Sequence, residues 1–197
     1  MSVKKIVKYG DDFLRQPTKE VHKISKKVQD LIHDLLDTMY AANGVGLAAP
    51  QIGSNLRVFV IDVSMNDEPL NPIVFINPKI IKKSGAVISH EGCLSFPEAY
   101  TDVRRYKDVM VKALDRYGRS FVLEAKDGTL LARAIQHEFD HLEGILFVDH
   151  ARNRFETDKI LMEHNLPPID ADKLLDETEL EEILTKSPEQ NEEEKGE

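Results

Sequence analysis

The sequence predicts an α+β fold, in which short and mostly antiparallel β-sheets surround a helix carrying His137-Glu138-Phe139-Asp140-His141. Three observations lead there. Two segments repeat apolar residues at helical spacing. Several short runs rich in β-branched residues are bounded by turn signals. Those runs follow one another as hairpins do, instead of alternating with helices as in a doubly wound sheet.

The first helix is expected from Ile24 to Ala42, where Ile24, Val28, Leu31, Ile32, Leu35 and Met39 form one apolar stripe and Asn43-Gly44 supplies the stop. His33, with Asp37 one turn on, reads as a surface contact and not as a metal site. Gly44 to Gln51 reads as a helix-ending loop, with two glycines that permit close backbone approach. It lacks both G-K-[ST] and G-x-G-x-x-G, so it is not a phosphate-binding loop. A strand is expected at Arg57–Val63, and two more at Val74–Asn77 and Lys79–Ile88, separated by Pro78. Val109–Leu114 and Ser120–Glu124 flank Asp115-Arg116-Tyr117-Gly118 as a hairpin. Asp127-Gly128-Thr129 then opens a second helix that runs through His137 and His141 to Gly144.

Charge divides the chain unevenly. The 197 residues carry a formal charge of −9. Residues 170–197 hold 12 acidic and 3 basic side chains, a net of −9, so residues 1–169 are neutral overall. That balance excludes a protein that lives by gripping phosphate backbones, and no sequence-specific nucleic-acid binding is expected. Leu174, Leu175, Leu180, Ile183 and Leu184 could support a short amphipathic helix, with a disordered acidic end after Lys186. No run approaches the roughly 18 apolar residues that a membrane span needs, and the N-terminus has no apolar signal core. A single cysteine, Cys93, cannot form an internal disulfide. A reducing cytoplasmic setting, with no membrane partner, is the expectation.

The chemistry concentrates in three segments. Two histidines four residues apart on a helix stand about 40° apart on one face and can share a metal. Glu138 lies beside them, placed to act on water. With 7 His in the chain and 18 Glu in the sequence, a chance H-E-x-x-H is expected only about 0.02 times in a chain of this composition. The zinc-peptidase continuation H-E-x-x-H-x-x-G-x-x-H fails, because Phe147 stands where the third histidine would be. A downstream glutamate, Glu156 or Glu163, would serve another peptidase pattern, and Cys93 is the remaining soft ligand. Cys93 by itself reads as a small buried hydrophobe. With two histidines it becomes a set that leaves a fourth tetrahedral position open. Gln51 offers an amide that could donate to a developing oxyanion.

Taken together and in this order, the three segments resemble the peptide deformylases. That family's G-x-G-L-A-A-x-Q is met by Gly44, Gly46, Leu47, Ala48, Ala49 and Gln51, and its E-G-C-L-S by Glu91 to Ser95. Its Q-H-E-x-D-H is met by Gln136, His137, Glu138, Asp140 and His141. The likeness runs from Ile6 to about His150. It implies a catalytic domain over 1–169, a metal-dependent amide hydrolase that removes the N-formyl group from the initiator methionine of nascent chains and releases formate. Cys93, His137 and His141 would hold one divalent metal, Fe2+ in the cell, with Ni2+, Co2+ or Zn2+ as substitutes. Glu138 would be the general base, with the Gln51 amide and the Leu94 N–H steadying the oxyanion. Val45 and Gly46 resemble the edge that pairs with an extended peptide, and Val45 and Ala134 would line the methionine pocket. Glu91 and Asp140 would support the site without reacting. Two departures stand out: Arg133 beside a pocket for an apolar side chain, expected to snorkel to the rim, and an acidic C-terminal segment that ribosomal RNA would repel. Ribosome contact would then use another surface. Two rival readings are an H-E-x-x-H peptidase, which gives Cys93 and Gln51 no role, and a non-enzymatic binder of formyl-peptides.

Overall fold

A computed structural model of the chain describes residues 2–64, 70–176 and 178. Helix α1 spans Lys26–Ala41 and is followed by seven strands, β1 (Gly46–Ala48), β2 (Val58–Ile61), β3 (Ile73–Ser84), β4 (Val87–Cys93), β5 (Phe96–Arg105), β6 (Asp108–Leu114) and β7 (Ser120–Ala125). Helices α2 (Leu130–Glu143) and α3 (Arg154–Glu163) come last. Strands β1-β2-β3-β6-β7 form one antiparallel sheet in that order, and β4 and β5 pair in a second. The α+β expectation holds. No helix among the described residues is long and apolar enough to cross a membrane.

Strand β2 shows how the layers are built. All four of its residues are buried, because both faces of the sheet are covered. Val58 and Val60 pack with Ile32, Leu35 and Met39 of α1, while Phe59 and Ile61 pack with Ala132, Ile135 and Leu142 of α2. Two-residue alternation therefore sends the strand into two different cores. A third core lies behind β5, where Phe96, Ala99 and Val103 meet Leu14, Phe147 and Leu161.

Several boundaries differ from expectation. The two segments around Pro78 are one strand, β3. A register shift between Ile76 and Lys79, with Asn77 at φ 51°, carries the proline through the sheet without needing its absent N–H. The Asn77 amide then pairs with both backbone groups of Val21, at 2.8 and 2.9 Å. Strand β2 ends before Asp62, whose carboxylate accepts from the Ser64 N–H and turns the chain away. Gly46–Ala48 is an edge strand and not only a loop. His33 meets Arg116 at 2.9 Å. At the C-terminus Leu174 and Leu175 follow a single turn, Ala171–Lys173, without entering a helix. Leu180, Ile183, Leu184 and the acidic end lie outside the described residues.

Candidate active site

Helix α2 is capped by Thr129, whose hydroxyl accepts from the Ala132 N–H, and stopped by Gly144 at φ 72°. One face carries Ala132, Ile135 and Leu142 into the sheet core. Residues at four-residue steps, Arg133, His137 and His141, form another face turned towards β4. Gln136 fixes the helix against the β5–β6 turn, donating to the Tyr106 carbonyl and accepting from the Tyr106 N–H, both at 2.9 Å.

That second face meets the end of β4 at Cys93. One donor atom from each of Cys93, His137 and His141 lies within 4.8 Å of the others, and Cys93 Sγ is 3.3 Å from His141 Nε2. Metal–sulfur bonds near 2.3 Å and metal–nitrogen bonds near 2.0 Å set tetrahedral donors about 3.3–3.5 Å apart, and the Cys93–His141 pair already has that spacing. His137 Nδ1 bonds Glu91 Oε2 at 3.0 Å, which leaves Nε2 for the cluster. One thiol and two imidazoles thus fit a transition-metal ion. Glu156 and Glu163, the alternative third ligands, are exposed on α3 and do not join the group.

Glu138 lies beside this group, 5 % exposed, and its Oε2 has no hydrogen-bond partner among the described residues. Burial pushes its carboxyl up to about 7, only partly offset by His137. The β1 backbone passes so close that a Cβ on Gly46 would sit 2.5 Å from Glu138 Oε1. Only glycine permits that approach. On the other side Gln51, 1 % exposed, aims Nε2 at Cys93 Sγ and Ser95 Oγ, each at 3.3 Å. Its Oε1 accepts from the Ala48 N–H at 2.8 Å, which fixes which end of the amide points inward. The N-terminal segment ties these loops together, Val7 N–H to the Gln51 carbonyl and Tyr9 N–H to the Ser95 carbonyl.

Behind the histidines lies a closed set of charges that the sequence did not reveal. Arg105, 2 % exposed, donates to Glu91 through Nε at 3.0 Å and a terminal nitrogen at 2.8 Å, and its other terminal nitrogen reaches Asp140 at 2.5 Å. Asp140 also meets His150 Nε2 at 2.9 Å. Burial opposes the charged form of Glu91, but Arg105 and His137 outweigh it and hold the carboxyl well below the usual range. Burial is likewise overcome at Asp140 by His150 and Arg105, which lower it to about 2. Burial, followed by its His137 neighbour, drives His141 well below its ordinary value and favours the neutral, ligating imidazole. Nothing in the run Arg104-Arg105-Tyr106-Lys107 marks Arg105 as the buried one. Glu91 thus joins Arg105 to His137, and Asp140 joins Arg105 to His150.

A cavity of about 470 Å3 opens over the cluster, lined by Val45, Gly46, Gln51, Cys93, Ala134 and Glu138 among others. Leu94, Arg133 and His137 line it too. Of the site residues expected from the sequence, His141 alone is not part of this lining; it meets the others through Cys93 Sγ, 3.3 Å away. Arg133 does not snorkel free: one terminal nitrogen bonds Ser89 Oγ at 3.0 Å and its Nε is buried.

Comparison with known proteins agrees with this geometry. The family model described as polypeptide deformylase matches residues 3–156. Peptide deformylase 1 of Clostridium acetobutylicum is 50 % identical over 149 residues, covering 76 % of this chain and 95 % of that protein. The peptide deformylase of Thermodesulfovibrio yellowstonii is 42 % identical over 167 residues, 81 % of this chain and all of that one (100 %). Among solved structures, a peptide deformylase from Synechococcus elongatus in complex with actinonin superposes with a TM-score of 0.77 at 42 % identity, covering 86 % of this chain and 88 % of that one. The Legionella pneumophila peptide deformylase gives 0.74 at 39 % identity over 95 % of this chain and 100 % of that one. With the motifs, the fold and the relatives in agreement over most of its length, the chain belongs to the polypeptide deformylase family.

Proposed function

We propose that this cavity is where the chain carries out its family's reaction, hydrolysis of the N-formyl group from the methionine that begins nascent polypeptides. The observation that carries the assignment is the convergence of Cys93, His137 and His141 within 4.8 Å beside a buried carboxylate, Glu138. The three side chains would hold one divalent metal. Fe2+ is the ion proposed in the cell, with Ni2+, Co2+ or Zn2+ able to replace it, since a mixed sulfur and nitrogen set suits all four. When bound, such an ion supplies a Lewis acid and brings the pKa of water towards neutrality.

The chain's own groups supply the rest. Glu138, unpartnered at Oε2 and near neutral pKa, takes a proton from the attacking water as its oxygen bonds to the formyl carbon. It then returns the proton to the amine nitrogen as the carbon–nitrogen bond breaks, leaving formate and a free methionine amine. Negative charge gathers meanwhile on the formyl oxygen. The Gln51 Nε2 donor, whose amide is oriented by the bond its carbonyl accepts from the Ala48 N–H, and the Leu94 N–H would receive it. Strand β1 is an edge of its sheet, so Val45 and Gly46 offer a backbone for an extended peptide to join. The methionine side chain would lie against Val45 and Ala134.

Residues 1–169 form the catalytic unit in this reading and 170–197 an acidic appendage. The setting is cytoplasmic, and contact with the ribosome would avoid the appendage, whose net charge RNA repels. The test is formate release by iron-loaded, oxygen-free protein from a formyl-Met tripeptide beside its acetyl counterpart. Release from the formyl peptide alone, lost in Glu138→Gln that retains its metal, is expected. A metal-loaded protein that releases no formate would refute the assignment.

A further inference from the structure

Arg133 is an uncompensated cation in the wall of this cavity. Three other buried or half-buried guanidinium groups meet carboxylates: Arg15 with Asp149, Arg57 with Glu143, and Arg105 with Glu91 and Asp140. Arg133 makes no ion pair among the described residues. Among the described residues its hydrogen-bond partner is the neutral Ser89 hydroxyl, and its buried Nε–H has no acceptor. The carboxylates lining the same cavity are otherwise engaged or distant: Glu91 is held by Arg105, Glu138 sits at the base, and Glu98 forms no ion pair with Arg133. Lys8, the other cation in the wall, donates to the Leu94 carbonyl at 2.8 Å.

Position decides what this group could read. Exposure along α2 rises from His141 at 1 % through His137 at 9 % to Leu130 at 40 %, so the helix leads from the reacting centre to the mouth. Arg133 stands one turn, about 6 Å, outward from His137. An extended peptide advances about 3.4 Å per residue and alternates its side chains between faces. The third side chain therefore shares a face with the first. If the methionine lies against Ala134, the third residue passes within reach of a guanidinium anchored one position earlier on that helix.

We propose that Arg133 is a specificity-determining residue that favours formyl-methionyl peptides bearing a carboxylate on the third residue. The proposal rests on the substrate orientation given above. A planar guanidinium with donors to spare pairs well with a carboxylate and repels an ammonium group.

Metal-loaded enzyme would be given formyl-Met-Ala-X amides with X as Asp, Asn or Lys, the amide removing the terminal charge. The expected result is a kcat/KM about tenfold higher for Asp than for Lys, carried mainly by KM and shrinking as salt is added. Arg133→Gln should bring the ratio close to one, while Arg133→Lys keeps its sign. Because each ratio is taken within one protein, any loss of active fraction cancels. Moving the charge to the second residue, on the opposite face, should leave a ratio insensitive to Arg133→Gln. Equal rates for the three peptides, or a ratio that survives Arg133→Gln, overturns this proposal alone. No formate from any peptide overturns the proposed activity, and this inference with it.

Discussion

The core beneath α1 and the core behind the histidines are both buried, yet they are held by different physics. Under α1, Ile32, Leu35 and Met39 meet Val58, Val60, Val74 and Ile76 in an apolar cluster. Each such side chain contributes about 1.5–3 kcal/mol by leaving water, largely independently of its neighbours. Behind the site, Glu91, Arg105, Asp140, His137 and His150 form a chain of ionised and hydrogen-bonded groups. Taking each ion out of water costs several kcal/mol, and only the complete set offsets that. The first region should lose stability in steps when it is damaged. The second should fail as a unit, and take ligand geometry with it.

Arg105→Met is the sharpest way to break this contrast. It strands Glu91 and Asp140 without their shared cation and should lower the unfolding free energy by about 3–5 kcal/mol. His137 loses a fixed Glu91 partner in the same step, so metal content should fall as well. Urea denaturation with metal analysis on the folded fraction measures both. A loss under about 1 kcal/mol with full metal occupancy would show the charge set to be dispensable. Leu35→Ala, fully buried under α1, is the counterpart. It should cost about 3 kcal/mol through the cavity it leaves, while activity per folded molecule stays within about threefold. A collapse of metal binding in that variant would erase the distinction between the regions.

Gly46→Ala tests the seam between them, since β1 packs with α1 on one side and approaches Glu138 on the other. A methyl group 2.5 Å from Glu138 Oε1 must displace the carboxylate. About a 30-fold fall in kcat, with metal retained, is expected from a shift of that order. Unchanged kcat would mean that the exact seat of Glu138 does not matter.

How much of this could be read from the sequence follows the same division. Helix α1 was legible because its apolar stripe is uninterrupted, and α2 because its cap, stop and histidine spacing are all local. Strand β5 was not. Its buried positions from Ala99 onward are Ala, Thr, Val and Arg, so burial alternates while hydropathy does not, and Pro97 with Glu98 at φ 57° breaks its start. Helix α3 was missed for a related reason: Phe155 is 81 % exposed and Thr157 is buried, which scrambles the stripe. The groups gathered at the candidate site were legible from three local motifs. Their supports, Arg105 and His150, were not, because an arginine's burial depends on carboxylates brought to it from other elements.

Asp62 supplies the finest distinction, an ion at the border of the apolar core whose partners among the described residues are all neutral donors. Its carboxylate accepts from Tyr40 Oη at 2.7 Å, the Ser64 N–H at 2.9 Å, Ser64 Oγ at 2.5 Å and the Asn71 N–H at 3.0 Å. Burial disfavours the charge, but the Ser64 and Tyr40 bonds outweigh it and lower the pKa below its ordinary value. A depressed folded-state pKa contributes stability above the unfolded value, near 4, and that contribution disappears as pH falls through the folded value. Asp62→Asn removes the charge while nearly keeping the shape. It should therefore cost about 1–2 kcal/mol at neutral pH, and the gap between variant and native protein should narrow steadily below about pH 4. Denaturant melts of both proteins across that range read the gap directly. A gap that stays constant into acid would assign the stability to the shape of the Asp62 turn and not to its charge.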